Sequence, residues 1–273
     1  MTVKLFTMVK DEVDIIVDWI NYHGNIFGFE NIFIIDNYST DGTYEKICSL
    51  EHLKINILRE KDYSKKGIFM TDLIKKHCND DDIAYPIDSD EFIVYYEDTP
   101  NSSVQCDKIV ITNYINNLPD HVLYKAEYLI PRIEIDGGYK RATVETKTAT
   151  KIYFNNFAKS FLKKKHLKGT TVDHGNHMLS ENHFMTKLWL VHYHARNTEQ
   201  LKKKTLNNIL GLGYPNDKKL LKNILLKNKN CDGNHHVSRQ IEILENTWVL
   251  NTTSKGNDVV DISNLACAIL ETV

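Results

Sequence analysis

The chain has 273 residues, 42% of them hydrophobic, which suits one sizeable core or a core with a smaller helical addition. Its 34 basic and 36 acidic residues give a formal net charge of -2, so nothing points to a nucleic-acid-binding protein. The five cysteines are scattered and form no C-x-x-C pair, which indicates free thiols in a reducing compartment.

No hydrophobic run has the pattern of a signal peptide or the length of a transmembrane segment. The abundance of Lys, Asn and Ile is typical of an AT-rich genome. We therefore expect a cytoplasmic protein of a bacterial cell or a virus-infected host cell. Peripheral contact with a membrane stays open.

The first part of the chain alternates strand and helix signals. Apolar runs predict strands over 3–7, 31–35, 55–58 and 83–87, and helices are expected over 43–50 and 68–77. Asp11 has the pattern of an N-cap for another helix whose apolar positions begin at Val13. This alternation predicts an α/β fold with a Rossmann-like, mostly parallel sheet flanked by helices.

The second part is mixed and then helical. Strands are expected over 124–135, with a bend at Pro131, and over 188–193, followed by helices after Thr198, over 218–227 and over 237–250. We predict a catalytic domain over 1–197 and a helical C-terminal extension, 198–273, packed on it. The lysine runs at 163–165 and 202–204 are most simply solvated helix faces.

Polar residues follow three of the predicted strands. They stand at 10–12, 36–37 and 88–90, and the carboxyl ends of parallel strands meet at one edge of a sheet. Asp88 and Asp90 are enclosed by apolar residues on both sides, whereas a solvated acidic loop would not be. Such a pair suits Mg²⁺ or Mn²⁺ with coordination positions left for substrate phosphates.

The stretches MVKDE (8–12), DNYSTDG (36–42) and AYPIDSDEF (84–92) together resemble the GT-A glycosyltransferases, in the family-2-like branch that includes the family-92-type enzymes. Further matches are KS at 159–160, GNH at 175–177 and HY at 192–193, so the resemblance covers about residues 1–205. Asp11 departs from the Asn that is usual in that branch.

The resemblance implies a GT-A fold and a metal-dependent transfer of a sugar from a nucleotide sugar, most often a UDP-sugar, to a hydroxyl of a glycan, lipid-linked or protein acceptor. Asp90 would be the main ligand of Mn²⁺ or Mg²⁺, and Asp88 would contact the metal or the ribose. The donor-binding residues would be Thr7, Val9, Glu12, Asp36, Lys65, Asp88 and Lys159, with Lys159 neutralising the diphosphate.

Six histidines lie between positions 166 and 194. They could form a structural zinc site, serve as buried structural residues, or complete the cation and diphosphate site. In GT-A enzymes a downstream histidine often joins the metal, which favours His177, with His192 as the second choice.

An inverting glycosyltransferase, expected here by analogy, also needs a general base near the acceptor hydroxyl. The candidates are Asp136, in a glycine-rich turn, and Asp173, beside the histidines. Either aspartate could equally be ordinary turn chemistry.

Two other functions remain open: a nucleotidyltransferase, or a non-catalytic protein that binds nucleotide sugars on the same fold. A nucleotidyltransferase generally has a glycine-rich loop after its first strand, and this chain has none there. A non-catalytic protein would have no reason to keep three acids at a buried strand end, because their desolvation is costly.

Overall fold

The computed structural model describes residues 1–131, 144–153, 158–178, 180–196, 198–231, 233–247 and 259–271. In these ranges the strands are β1 (Val3–Val9), β2 (Ile32–Asp36), β3 (Asn56–Arg59), β4 (Ile83–Pro86), β5 (Glu91–Tyr95), β6 (Tyr124–Pro131), β7 (Thr148–Ile152), β8 (Lys159–Lys163), β9 (Phe184–His192) and β10 (Val259–Asp261). The helices are α1 (Ile16–Phe27), α2 (Thr43–Ser49), α3 (Lys66–His77), α4 (Lys108–Asn116), α5 (Thr198–Gly211), α6 (Lys218–Lys227), α7 (Asn234–Leu244) and α8 (Ser263–Leu270).

The described strands form one sheet, with the order β10-β7-β6-β8-β4-β1-β2-β3 and with β9 joining β5 to β6. Strands β3, β2, β1 and β4 are parallel neighbours. The second half of the sheet adds mainly antiparallel pairs, among them β4–β8, β6–β7 and β5–β9. The predicted α/β class with a helix-flanked sheet is confirmed. Parallel pairing occurs in this four-strand unit and again between β6 and β9.

Alternating side chains of β1 build two hydrophobic layers, one on each face of the sheet. Leu5 and Val9 belong to the larger cluster, which contains the buried face of α1. Phe6 and Met8 belong to the other cluster, which contains the buried face of α3. A strand buried on both faces needs the continuous apolar run that the sequence shows here.

The predicted N-cap role of Asp11 is wrong. Helix α1 begins at Ile16, and Asp11 has a left-handed backbone with φ of 56°. Its carboxylate accepts the backbone N–H of Thr40 at 2.7 Å, so it fastens the β1 loop to the β2 loop and does not cap a helix. The first helical amide, that of Ile16, donates instead to the carbonyl of Glu12 at 3.1 Å.

The C-terminal helices α5, α6 and α7 share a small apolar cluster of their own, which includes Ile209, Leu221 and Val237. Strand β10 pairs with β7, and α8 buries Leu265 in the main core. The proposed division between residues 197 and 198 stays a prediction. Among the described helices, none combines the length and the apolar character that crossing a membrane requires.

Candidate functional site

The ends of β1 and β4 open into one cavity of about 930 Å³. The two strands are parallel neighbours, which brings the loop after β1 beside the loop after β4. Glu12 from the first loop and Asp88 and Asp90 from the second line this cavity. The volume lies in the range of small-molecule sites.

Asp88 is held by two lysines. Its Oδ1 lies 2.8 Å from Nζ of Lys66, and its Oδ2 lies 2.9 Å from Nζ of Lys159. Lys159 is almost fully buried and also lies 3.1 Å from Oε1 of Glu91. Burial alone would raise the pKa of Asp88, but the ammonium groups of Lys159 and Lys66 outweigh burial and hold that pKa well below its usual value.

Asp90 is fully buried, and strand pairing fixes its position. Glu91 at the start of β5 lies opposite His192 at the end of β9, and the N–H of Tyr193 donates to the carbonyl of Asp90 at 2.8 Å. Oδ2 of Asp90 contacts the ammonium of Lys204 and lies 3.8 Å from Nη1 of Arg196. Burial would raise the pKa of Asp90, yet Lys204, His192 and Arg196 keep it well below its usual value.

Asp90, His192 and His194 form a group of candidate metal ligands. One ligand atom from each lies within 4.8 Å of the other two. Oδ1 of Asp90 is buried and makes no hydrogen bond within the described ranges, and it lies 3.5 Å from Nε2 of His192. A carboxylate with two imidazoles fits a divalent cation, and two nitrogen donors favour a transition-metal ion over Mg²⁺.

The pKa values of the two histidines of this group are shifted in opposite directions. Burial would lower the pKa of His192, but Asp90 and Glu91 outweigh burial and raise it. Burial lowers the pKa of His194 well below its usual value, and the nearby Lys204 adds to that effect. His194 is therefore neutral near pH 7, which is the form that binds metals.

His177, the first choice from sequence, lies elsewhere on the cavity wall. Its backbone N–H donates to Oδ1 of Asp173 at 2.9 Å, and the other oxygen of Asp173 accepts the N–H of Met178. Burial lowers the pKa of His177 to about 4, with Lys159 as the next cause. The carboxylate of Asp173 thus fastens the loop that presents His177.

Several predicted site residues lie outside the described lining of the cavity, namely Thr7, Val9, Asp36, Lys65 and Asp173. The carboxylate of Asp36 lies 2.9 Å from Nε of Arg59, and Lys65 lies 2.9 Å from Asp62. Asp136 lies outside the described residues. The assigned roles of these six residues stay predictions.

Sequence reasoning missed three residues at the site, Lys66, Arg196 and Lys204, and it included His194 among the six histidines without singling it out. The expectation of a solvated lysine run at 202–204 is wrong for Lys204, whose side chain is only 19% exposed and contacts Asp90. Lys202 and Lys203 are each more than 40% exposed, because neighbouring positions of a helix point about 100° apart. The one available signal was the position of this run shortly after HY at 192–193.

The C-terminal helices supply part of the cavity wall. Their contribution comes from α5, α7 and the adjoining loops: Lys204, Asn207, Asn208, Leu212, Tyr214, Gly233, His235 and His236. Asn207 also donates to Oδ2 of Asp11 at 3.0 Å, which joins α5 to the β1 loop. The site is therefore built from both halves of the chain.

No protein-family model matches the chain, and no curated protein does. Among solved structures, residues 1–349 of TarS from S. aureus are 12% identical, with 93% of this chain and 74% of that chain covered and a TM-score of 0.41. HddC from Yersinia pseudotuberculosis is 10% identical over 70% of this chain and 93% of that chain, also with a TM-score of 0.41.

Glucosyl-3-phosphoglycerate synthase from Mycobacterium tuberculosis, in complex with Mg²⁺ and uridine diphosphate, is 15% identical over 46% of this chain and 43% of that chain, with a TM-score of 0.31. The chain is similar to each of these proteins. At such identities and TM-scores the similarity assigns no function to the chain.

Proposed function

We propose that the chain is a metal-dependent glycosyltransferase, which moves a sugar from a nucleotide sugar to a hydroxyl acceptor. One observation carries the proposal: a single cavity holds a group of candidate metal ligands, Asp90 with His192 and His194, and is also lined by Lys66, Lys159 and Lys204. A nucleoside diphosphate is a leaving group with high negative charge. A site for it needs this combination of a divalent cation and positive side chains.

Each part of the site would have a separate task. Asp90, His192 and His194 would hold the cation, which counters the charge that develops on the leaving diphosphate. Lys66 and Lys159, held in place by Asp88, would present fixed positive charge to the same phosphates. The cation is expected to be Mn²⁺ and the donor a UDP-sugar.

The acceptor is expected to be a glycan, a lipid-linked sugar or a protein. Inversion at the sugar carbon, with Asp136 or Asp173 as the base, remains part of the proposal by analogy alone. Both oxygens of Asp173 accept backbone N–H groups, and each keeps a second lone pair, so either aspartate stays a candidate base.

The first test is a binding screen followed by a reaction assay. UDP-, GDP- and TDP-sugars are each added with and without MnCl₂, and the melting temperature is recorded. We expect one nucleotide sugar to stabilise the protein when Mn²⁺ is present. NMR of the same mixtures would then show slow hydrolysis of that donor and the anomeric configuration of the released sugar.

The variant Asp90→Asn tests the metal site. We expect Mn²⁺ affinity to fall on the order of a hundredfold, because a charged ligand of the metal becomes neutral. Asp120→Asn is the control, since it also removes one carboxylate but at an exposed site paired with Lys163 and Lys165. Retention of wild-type Mn²⁺ affinity by Asp90→Asn would place the metal elsewhere, and no response to any nucleotide sugar would rule out the proposed activity.

The reaction assay, supplied also with a nucleoside triphosphate and a sugar phosphate, separates the two alternatives. A nucleotidyltransferase would form a nucleotide sugar and pyrophosphate from a nucleoside triphosphate and a sugar phosphate. A non-catalytic protein would bind the donor without hydrolysis or transfer under any condition.

A further inference from the structure

The ammonium group of Lys204 lies where the proposed cation would be attracted. It contacts Oδ2 of Asp90 and lies 3.3 Å from Oε1 of Glu12. The other oxygen of the same Asp90 carboxylate faces His192. A divalent cation held by Asp90 would therefore have a positive ammonium as a near neighbour, and like charges at such distances repel strongly.

The acids that line the cavity already have partners. Four carboxylates, within the described ranges, form ion pairs with four cationic side chains, which are Lys66, Lys159, Arg196 and Lys204. A divalent cation added to this network brings an excess of two positive charges. A bound diphosphate would offset that excess.

Lys204 is held by fewer contacts than its neighbour Arg196 and is more exposed. The side chain of Arg196 is 3% exposed and is held by Glu12, by Asp14 at 2.8 Å and by the carbonyl of Tyr193 at 2.9 Å. Lys204 is 19% exposed, lines the cavity and has a flexible four-carbon stem. Rotation about the bonds of that stem would turn its ammonium from Asp90 into the cavity.

We propose that Lys204 is a diphosphate-binding residue that Asp90 and Glu12 hold in reserve. In the free protein it competes with the cation for Asp90, and when the cation binds it turns to the phosphates of the donor. This inference rests on the proposed function. It predicts that the loss of one side chain changes two affinities in opposite directions.

The variant that tests the proposal is Lys204→Met, which keeps the length of the side chain and removes its charge. We expect Mn²⁺ alone to bind about tenfold more tightly, because the competing cation is gone. We expect UDP in the presence of saturating Mn²⁺ to bind about tenfold more weakly, because a charge-assisted contact to the phosphates is lost. Both affinities can be measured by isothermal titration calorimetry with MnCl₂ and UDP.

Two further variants serve as controls. Lys203→Met removes the same charge from the adjacent position of α5, where the ammonium lies 3.6 Å from Asp11 and 3.7 Å from Asp41, and it should leave both affinities unchanged. Lys204→Arg should keep UDP binding close to the wild-type value. A role in stability alone would lower the melting temperature of Lys204→Met without this opposite pair of changes, and that result would overturn the proposal.

A second measurement needs no variant and so does not depend on whether Lys204→Met folds. The wild-type protein is treated with an amine-acylating reagent, and the labelled lysines are mapped by mass spectrometry. We expect labelling of Lys204 to be slow in the free protein, faster with Mn²⁺ and slow again with Mn²⁺ and UDP. Labelling of Lys203 should be the same in all three samples, and a rate for Lys204 that ignores Mn²⁺ contradicts the proposal.

The failure of this inference can be told from the failure of the proposed function. If wild-type protein and Lys204→Met both bind neither MnCl₂ nor UDP, the proposed function and the role of Lys204 are both wrong. If wild-type protein binds both ligands and Lys204→Met has unchanged affinities, the site stands and only the role of Lys204 is wrong.

Discussion

His23 is a fully buried histidine whose proton is fixed by its neighbours. Its Nδ1 lies 2.9 Å from the carbonyl oxygen of Trp19, and its Nε2 lies 3.2 Å from the backbone N of Ile93. A carbonyl only accepts and an amide only donates, so the ring is neutral with its hydrogen on Nδ1. Burial lowers the pKa of His23 to about 3.

This residue makes stability depend on pH. The unfolded chain takes up the proton near pH 6.5 and the folded chain only near 3, so the free energy of unfolding is highest above 6.5 and falls as the pH drops. At pH 5 the loss from His23 is about 2 kcal/mol. Urea unfolding measures the free energy of unfolding at pH 7.5 and at pH 5.0. The loss between these two pH values should be smaller in His23→Gln than in wild type by that amount.

The matched control is His52→Gln, at an exposed position, which should keep the wild-type difference between the two pH values. His23→Gln can be less stable than wild type at both pH values without affecting the test. Equal pH differences for wild type and His23→Gln would show that His23 is protonated in the folded state.

The sequence could predict which strand ends form the site, but not which of two adjacent side chains enters it. Asp88, Asp90 and Glu12 could be placed at one sheet edge because each follows a recognisable parallel strand. The sequence pattern pointed to Lys65, whereas its neighbour Lys66 is the one of the two that pairs with Asp88. Adjacent lysines look the same in a sequence, and the turn of the backbone decides which one enters the cavity.

At the scale of elements, helix α3 and the loop of residues 172–177 are locked together at Gly67. A Cβ atom at position 67 would lie 2.1 Å from the carbonyl oxygen of Val172. Thr71 reinforces the contact, since its hydroxyl donates to the carbonyl of Gly67 at 2.7 Å and accepts the N–H of Val172 at 2.9 Å. This junction places Lys66 and the loop of His177 on the same wall of the cavity.

Gly67→Ala should therefore separate the helix from the loop. We expect a loss of about 1–3 kcal/mol in the free energy of unfolding, measured with urea, because backbone atoms must shift to admit the methyl group. Gly169→Ala is the comparison, since its Cβ would meet open space and its φ of 69° costs only about 1 kcal/mol. Wild-type stability in Gly67→Ala would mean that the loop is free to move away.

The elements that the sequence predicted well are those with local signals. The strands of the parallel unit, helix α3 and helix α6 lie within two residues of their expected bounds. The strand Lys159–Lys163 was missed because its partners are distant in the chain and its ends are charged. Glu91–Tyr95 was missed because its first residue belongs to the acidic motif, and only its pairing with β9 makes it a strand.

At the scale of the whole molecule, the cavity depends on parts of the chain that are far apart. The loops after β1 and β4 supply the carboxylates, β9 supplies His192, and α5 supplies Lys204. Because Asp90 contacts a residue of α5 and also a residue that follows β9, a change at this carboxylate reaches both halves of the molecule. The binding of one ligand at the site should therefore change the affinity for another.

The last prediction concerns the coupling of Mn²⁺ and UDP. With the cavity acids already paired to lysines and Arg196, either ligand alone adds uncompensated charge, and the charges of the two together largely offset each other. We expect saturating Mn²⁺ to tighten UDP binding by roughly 5- to 150-fold, the range of most coupled sites. By linkage, saturating UDP must tighten Mn²⁺ binding by the same factor, and calorimetric titrations in both orders check that equality. If UDP affinity is independent of Mn²⁺, the lysines alone hold the diphosphate. In that case no cation bound at Asp90 contacts the diphosphate.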